Sequence, residues 1–200
     1  MGVVLVLSGP SGSGKSSLIN SVKDELGDYY FSISTTSREP RGQEVDGREY
    51  FFVSKDEFKK DIAEGAFLEY AKVHGNYYGT SLKNVYDALS ENKMVLFDID
   101  VQGHDSLKNI LGDIMTSVFI TPPTSQTLEK RLRTRATDDE DVIQKRLLQA
   151  NDEIKKIHEY DYFIINDDLD KAKDEFLNIV KAAKLKKPKQ FKDYFIKEWI

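Results

Sequence analysis

Five consecutive apolar residues, Val3-Val4-Leu5-Val6-Leu7, stand near the start of the chain, followed by a glycine- and serine-rich stretch and then by Leu18, Ile19, Val22 and Leu26 at helical spacing. An unbroken β-branched run predicts a parallel strand buried on both faces. The periodicity after it predicts a helix from Lys15 to Leu26, stopped by Gly27. Apolar runs recur at Val95 to Ile99, Val118 to Thr121 and Tyr162 to Ile165, each separated from the next by a helix-like stretch. Strands alternating with helices imply an α/β fold, a mostly parallel sheet covered by helices.

Between about Ser32 and Tyr78 the pattern changes. Tyr50 to Val53 and Phe67 to Val73 predict strands, and Ser54 with Glu57 forms a capping box that starts a short helix between them. This stretch is expected to be an inserted, sheet-rich subdomain. Leu128 to His158 is helical, densely charged and broken near Ala136-Thr137-Asp138, the texture of a mobile lid. The end of the chain carries Lys184, Lys186, Lys187, Lys189 and Lys192 around Pro188, then Tyr194, Phe195 and Trp199. It reads as a solvated helix end and a tail that packs its aromatics on the body.

Composition narrows the function classes. Two hundred residues, 40% of them hydrophobic, suit one α/β domain. No apolar run approaches the roughly 20 residues of a membrane span, and no signal-peptide pattern is present, so no membrane partner is expected. The absence of cysteine excludes disulfides and thiolate chemistry and agrees with a cytoplasmic location. A formal charge of −5 opposes nucleic acid as a partner, so any anion site must be local.

Such a site is written at Gly9-Pro10-Ser11-Gly12-Ser13-Gly14-Lys15-Ser16, which fits the P-loop pattern with the required strand before it and helix after it. The glycines let successive N–H groups and a helix N-terminus face one phosphate. Lys15 would bridge the β- and γ-phosphates of ATP, and Ser16 would ligate Mg2+. The run Met94 to Asp100 ends in two carboxylates at the carboxyl end of a strand, where ligands of open sheets collect. Asp98 is placed to hold Mg2+ through water, although a strand-end aspartate also serves as a helix cap. Phosphoryl transfer needs further cations. Ser34 to Arg41 offers Arg38 and Arg41 beside hydroxyls, a clamp for a monophosphate, and the lid region offers Arg131, Arg135 and Arg146.

At these residues the sequence closely resembles the guanylate kinase family, from Val4 to about Ala183. The resemblance is carried by the P-loop, Ser34 to Arg41, Gly42 to Gly47 leading to Tyr50-Phe51-Phe52, Phe67 to Tyr70 and Gly75 to Thr80. It continues through Asp98 to Gly103, Arg131 to Arg146 and Asn166-Asp167-Asp168. It implies a P-loop kinase fold with a core at about 1–31, 81–125 and 159–185, a GMP-binding subdomain at about 32–80, a lid at about 126–158 and a tail at 186–200. It also implies an ATP:GMP phosphotransferase, with ATP and GMP as its small-molecule partners. Arg38, Arg41, Tyr50 and Tyr78 would hold the GMP phosphate, while Ser34, Glu69, Thr80 and Asp100 would read guanine. ATP would lie on Gly9 to Ser17, with Ser17 next to the motif and Asn166 helping to seat adenine. Lys15, Arg38, Arg131, Arg135 and Arg146 would neutralise the transferring charge, the lid arginines swinging onto the phosphates as the lid closes.

The chemistry agrees with that assignment. Guanine presents N1–H and N2–H₂ donors, which want carboxylate acceptors, and an O6 acceptor, which wants a hydroxyl; adenine would face the carboxylates with a lone pair. Ala136 and Asp138 stand where the family usually has Gly and Glu, which narrows the lid backbone without removing a charge, and Ser37 replaces a common Thr with its hydroxyl kept. His74, His104 and His158 are scattered and read as surface or turn residues. Three other readings are open: a guanylate-kinase-like peptide scaffold without catalysis, a kinase for dGMP, AMP or UMP, and a nucleic-acid-dependent ATPase. The intact Lys15, Ser16 and lid arginines oppose the scaffold, the Ser34, Glu69 and Asp100 set favours guanine, and the charge balance opposes nucleic acid.

Overall fold

The computed structural model describes residues 2–73, 75–134 and 139–200. The chain begins with β1 (Val4–Ser8), α1 (Lys15–Val22) and β2 (Tyr29–Phe31). A second group follows: β3 (Thr35–Thr36), β4 (Phe51–Phe52), α2 (Lys55–Ala63), β5 (Phe67–Val73) and β6 (Asn76–Ser81). The chain then returns through α3 (Leu82–Ser90), β7 (Met94–Asp98), α4 (Val101–Leu111) and β8 (Met115–Thr121). Helices α5 (Ser125–Thr134) and α6 (Glu140–Glu153) precede β9 (Tyr162–Ile165), α7 (Leu169–Leu185) and α8 (Lys189–Trp199).

The central sheet has the order β2-β7-β1-β8-β9 and every pairing in it is parallel. The apolar run of β1 is explained by its place in the middle. Leu5 and Leu7 join a core with Leu18, Val22, Ile120 and Phe176 on the α1 and α7 side. Val4 and Val6 join Val85, Val95, Phe97 and Leu107 on the α3 and α4 side. All four β1 side chains are fully buried, each contributing roughly 1.5–3 kcal/mol by leaving water. Because β7 lies on one side of β1 and β8 on the other, the chain reverses direction of winding at the carboxyl end of β1, where an open sheet leaves a crevice.

The insertion is a separate mixed sheet of order β4-β3-β6-β5. Its long hairpin pairs Glu69 with Thr80 across the β5 and β6 ladder, so both side chains emerge side by side. The capping box of α2 is present, Ser54 and Glu57 each holding the other's backbone N–H. The helix is pinned to the sheet by Phe58, fully buried and stacked on Phe67 at 4.3 Å and on Tyr77 at 5.3 Å between ring centroids.

Three expectations are corrected. Helix α1 ends at Val22, ahead of Leu26, and a turn with Glu25 and Leu26 N–H groups on the Val22 carbonyl completes the descent to Gly27. Asp24 and Glu25 would lie at the negative end of a longer helix, which the helix dipole opposes. Strands β2, β3 and β6, which were not expected, lack an apolar alternation that marks them, and they form because their neighbours supply hydrogen-bond partners. The C-terminal tail is a helix, α8, with no buried residue, and its aromatics do not pack on the body. The lid-region helices α5 and α6 lie on either side of residues 135–138, which with His74 are outside the described residues, so the expected break near Ala136-Thr137-Asp138 falls there. Arg133 braces them, donating to Glu129 within α5 and to Glu140 at the start of α6.

The stacking of Phe58 predicts that Phe58→Ala loses about 3–5 kcal/mol of unfolding free energy in a urea titration. A loss below about 1 kcal/mol would show that the α2 seam does not support the second sheet.

Candidate active site

The P-loop forms at the carboxyl end of β1 because the chain must turn there within touching distance of β8. A Cβ on Gly9, which has φ of 140°, would lie 1.9 Å from the Ile120 carbonyl oxygen, so only glycine fits. The turn closes with the Ser13 N–H on the Pro10 carbonyl at 3.0 Å, and Gly14, left-handed at φ 93°, leads into α1. The Ser13 carbonyl is tied outward by two groups from distant elements. Asn166 Nδ2 donates to it at 2.9 Å and Arg131 Nη1 at 3.3 Å, while Arg131 Nη2 donates to the Asn166 carbonyl at 2.7 Å. With its carbonyls used in this way the loop presents N–H groups and a helix N-terminus inward, the arrangement an anion requires.

Lys15 lies across this cradle. Its ammonium donates to the Gly9 carbonyl at 2.6 Å and stands 3.9 Å from Asp98 Oδ1. Burial raises the pKa of Asp98 and the Lys15 charge partly opposes that shift. Ser16 and Ser17 are exposed at the mouth of α1. Arg146 reaches the loop from α6, with Nη1 3.2 Å from Ser11 Oγ. Arg135 lies outside the described residues. Beside the loop, a cleft of about 550 Å³ is lined by Gly12, Gly14, Ser17, Arg131, Asn166 and Asp167 among others. The Asn166 side chain itself is engaged with Ser13.

A second cluster forms on the inserted sheet. Arg38 is 8% exposed, with its guanidinium 5.3 Å over the Tyr50 ring and its Nη1 donating to the Glu39 carbonyl at 2.7 Å. Tyr50 and Tyr78 meet edge to face at 6.0 Å. Glu44 occupies the cationic end of this cluster: its Oε1 accepts from Arg38 Nη2 at 3.0 Å and its Oε2 from the Arg41 N–H at 2.7 Å. The Arg38 hydrogen bond, foremost, holds the Glu44 carboxyl below its ordinary range. Arg41 is exposed beside it. At the other end, Thr80 Oγ1 donates to Glu69 Oε1 at 2.7 Å. Burial raises the Glu69 pKa, the Thr80 hydrogen bond opposes the rise, and the charge of Asp100, at the N-cap of α4, adds to it. Asp100 caps α4, accepting from the Gly103 N–H at 2.8 Å through one oxygen. Ser34 directly precedes β3, and its carbonyl accepts from the Phe51 N–H at 3.0 Å.

Two site residues had no counterpart in the sequence reading. Glu44 is in a turn whose composition marks only a loop. Glu153 is buried on α6, accepts from Gln149 Nε2 at 2.8 Å, and feels the charges of Lys15 and Asp100, although burial is the main cause that raises its pKa. Its spacing from Arg146 and Ala150 along α6 was the available signal, since 146, 150 and 153 share one helical face. His104 corrects the surface expectation. It is fully buried and stacked 3.9 Å from the Tyr160 ring. His104, Asp105 and Glu159 lie close enough to suggest a metal cluster, but the Lys156 ammonium sits 2.7 Å from Asp105 Oδ2 and already supplies the cation.

A parallel sheet with a P-loop at its winding reversal, basic side chains converging on that loop, and an adjoining arginine- and carboxylate-lined cluster define a P-loop phosphotransferase. The guanylate kinase family model matches residues 1–183. Guanylate kinase from Sulfurimonas denitrificans is 54% identical over 198 residues, covering 99% of this chain and 96% of the relative. That from Wolinella succinogenes is 51% identical over 182 residues, covering 91% and 85%. The crystal structure of guanylate kinase from Anaplasma phagocytophilum superposes with a TM-score of 0.72 at 32% identity, covering 90% of this chain and 85% of that one. The chain belongs to the guanylate kinase family, and its function is that of a nucleoside monophosphate kinase of the GMP kinase type. Among the described residues no helix is long and apolar enough to cross a membrane.

The raised pKa of Glu69 has a definite sign. A carboxyl whose folded pKa exceeds its unfolded one contributes stability below the ordinary carboxylate range and loses it as pH rises through the folded value. Glu69→Gln, which keeps an acceptor for Thr80, should therefore melt higher than the parent at about pH 7, and the difference should shrink toward about pH 4. Thermal melts with an equal difference at both pH values would show that ionisation is not the cause.

Proposed function

We propose that the chain transfers the γ-phosphoryl group of ATP to GMP, and to dGMP, in a Mg2+-dependent reaction, with the two clusters above as its donor and acceptor sites. The observation that carries this reading is the hydrogen bond of Thr80 to Glu69, with Asp100 near enough for its charge to act on Glu69: carboxylates and a hydroxyl together suit the donor and acceptor edge of guanine. Thr80, Ser34, Glu69 and Asp100 read the base. Arg38, Arg41, Tyr50 and Tyr78 take the phosphate, which displaces Glu44 from Arg38 and inherits a formed pocket. The P-loop from Gly9 to Ser17 holds the ATP phosphates, and the cleft beside Asn166 takes the adenosine.

The exposed Ser16 hydroxyl and the Asp98 carboxylate are hard oxygen donors beside the phosphate cradle and suit Mg2+, Asp98 through water. When bound, the ion supplies charge neutralisation on the phosphate oxygens. The chain's own contribution is positional. Lys15 leaves the Gly9 carbonyl for the phosphates, Arg131, Arg135 and Arg146 gather on them as the lid at about 126–158 closes over a core at about 1–31, 81–125 and 159–185, and water is excluded. A GMP phosphate oxygen, already ionised, forms the new bond to the γ-phosphorus while the bond to the bridging oxygen breaks and ADP departs. No general base is needed. This is a cytosolic reaction on small nucleotides that involves no nucleic acid.

A coupled assay of ADP formation with ATP, Mg2+ and each of GMP, dGMP, AMP, UMP and CMP tests the reading. Turnover is expected with guanine nucleotides, lower by on the order of 10⁴ in kcat/KM with AMP, and reduced at least about a hundredfold in Lys15→Ala. Absence of GMP-dependent turnover by folded protein would instead leave a binding scaffold.

A further inference from the structure

Beneath the P-loop, Ser8 Oγ, His104 Nε2 and the Tyr160 hydroxyl are buried without a hydrogen bond among the described residues. They come from three elements that meet at the active site. Ser8 ends β1 immediately before Gly9 and shares the α4 face of the sheet with Val4 and Val6. His104 stands one turn after Asp100, the cap of α4, and its N–H closes that turn on the Asp100 carbonyl at 3.0 Å. Tyr160 follows a 3₁₀ segment, Ile154–Glu159, which continues directly from α6 and leads towards β9. Phe119, opposite Ser8 in the β1 and β8 register, meets Tyr160 edge-on at 5.1 Å, and the His104 ring stacks on Tyr160 at 3.9 Å.

The polar atoms of this cluster are complementary. Asp105 Oδ1 lies 3.2 Å from His104 Nδ1. Burial, foremost, lowers the His104 pKa; Lys108 adds to the fall, while Asp105 and Glu159 oppose it. The ring is therefore neutral at about pH 7.5. A carboxylate only accepts, which makes Nδ1 the protonated nitrogen and leaves a lone pair on Nε2. Burial raises the Tyr160 pKa and the nearby Ser8 hydroxyl opposes the rise, so the phenol keeps its proton. Nε2 is thus an unused acceptor and the Tyr160 hydroxyl an unused donor, carried on two stacked rings. Buried polar groups left unpaired in this way raise the free energy of the form that contains them.

The stack sits at the inner end of the lid region. Lys156 donates to Asp105 Oδ2 and Lys108 to the Glu159 carbonyl, each at 2.7 Å, which clasps the 154–159 segment to α4. From this clasp α6 extends to Arg146, 3.2 Å from Ser11 Oγ of the P-loop. Movement of α6 about the clasp is felt at Tyr160, and rings inclined by 23° can slide over one another with contact kept. We propose that His104 and Tyr160 are positioning residues for phosphotransfer: closure of the lid over the nucleotides brings the Tyr160 hydroxyl onto His104 Nε2, and that hydrogen bond favours the closed form. A bond made in one form alone shifts the balance between the two by its own free energy. The inference rests on the lid-closing reaction proposed above.

Tyr160→Phe keeps the ring and removes the hydroxyl, so its two effects should have opposite signs. Without nucleotide it should melt at or above the parent temperature, because a buried unpaired group is gone. Calorimetric binding of a non-hydrolysable ATP analogue, with GMP and Mg2+ present, should weaken about five- to tenfold, the loss of one hydrogen bond. The chain has three histidines, so nitrogen NMR of histidine-labelled protein resolves them, and His104→Gln assigns the His104 signals by their absence. The unprotonated Nε2 resonance of His104 should move upfield when both nucleotides bind to the parent and stay in place in Tyr160→Phe. A melting temperature of Tyr160→Phe below that of the parent overturns the proposal, since the hydroxyl is then already paired in the free protein. So does unweakened binding of the analogue. Weakened binding with an unmoved Nε2 resonance in the parent also overturns it and gives the partner role to Ser8. A parent that binds neither nucleotide removes the phosphotransfer reading together with the latch, whereas binding with an unmoved resonance removes the latch alone.

Discussion

The geometry of the donor site depends on one close approach, that of the Gly9 backbone to the Ile120 carbonyl at the end of β8. The parallel register of β1 and β8 brings Ser8 opposite Phe119, so the turn after β1 has no room for a side chain. From that contact the remainder follows in order. The loop folds over the sheet end, α1 starts with its N-terminus toward the loop, and the Ser13 carbonyl is left where Asn166 and Arg131 can hold it. Asn166 stands directly after β9 and Arg131 on α5, so the phosphate cradle is shaped by strands and helices far along the chain.

A second regularity is that Lys15, Arg131 and Arg38 are already engaged with protein acceptors. Lys15 rests on the Gly9 carbonyl, Arg131 on those of Ser13 and Asn166, and Arg38 on Glu44. A buried or half-buried cation without an acceptor is costly, so each is held in place by a partner that a phosphate oxygen can replace. The Glu44 carboxylate is the clearest instance, since it accepts at the Arg38 guanidinium and the Arg41 N–H from one turn.

The carboxylates are arranged on the opposite principle. Glu69, Asp98 and Glu153 are each raised in pKa chiefly by burial, so the fold holds acids where water solvates them poorly. Asp100 adds to the rise at both Glu69 and Glu153, and it belongs to the cap of α4, which packs against β5. One helix cap thereby connects the inserted sheet, the lid-region helix α6 and the region of Lys15. Groups that destabilise the free protein while lining a cleft are those whose interactions are completed by a ligand.

Much of this was legible along the chain. The apolar run of β1, the spacing of glycines in the P-loop, the capping box at Ser54 and the grouping of Arg38 with Arg41 are local patterns, and local patterns are what periodicity and turn chemistry encode. The core strands β7, β8 and β9 and the helices α5 and α6 were likewise marked by composition. What only the tertiary structure decided are the relations between distant segments. These are the strand order, the two-residue strand β3, the approach of Glu153 to Lys15 and Asp100, the burial of His104 under Tyr160, and the exposure of the α8 aromatics. A side chain's burial and partners depend on what the rest of the fold places beside it, and no window of neighbouring residues contains that information. The chain's own sequence determined its class of chemistry, because phosphate binding is done by a contiguous loop; the folded arrangement determined which acids and cations from α4, α6 and the P-loop come near one another, because those elements are far apart in the chain.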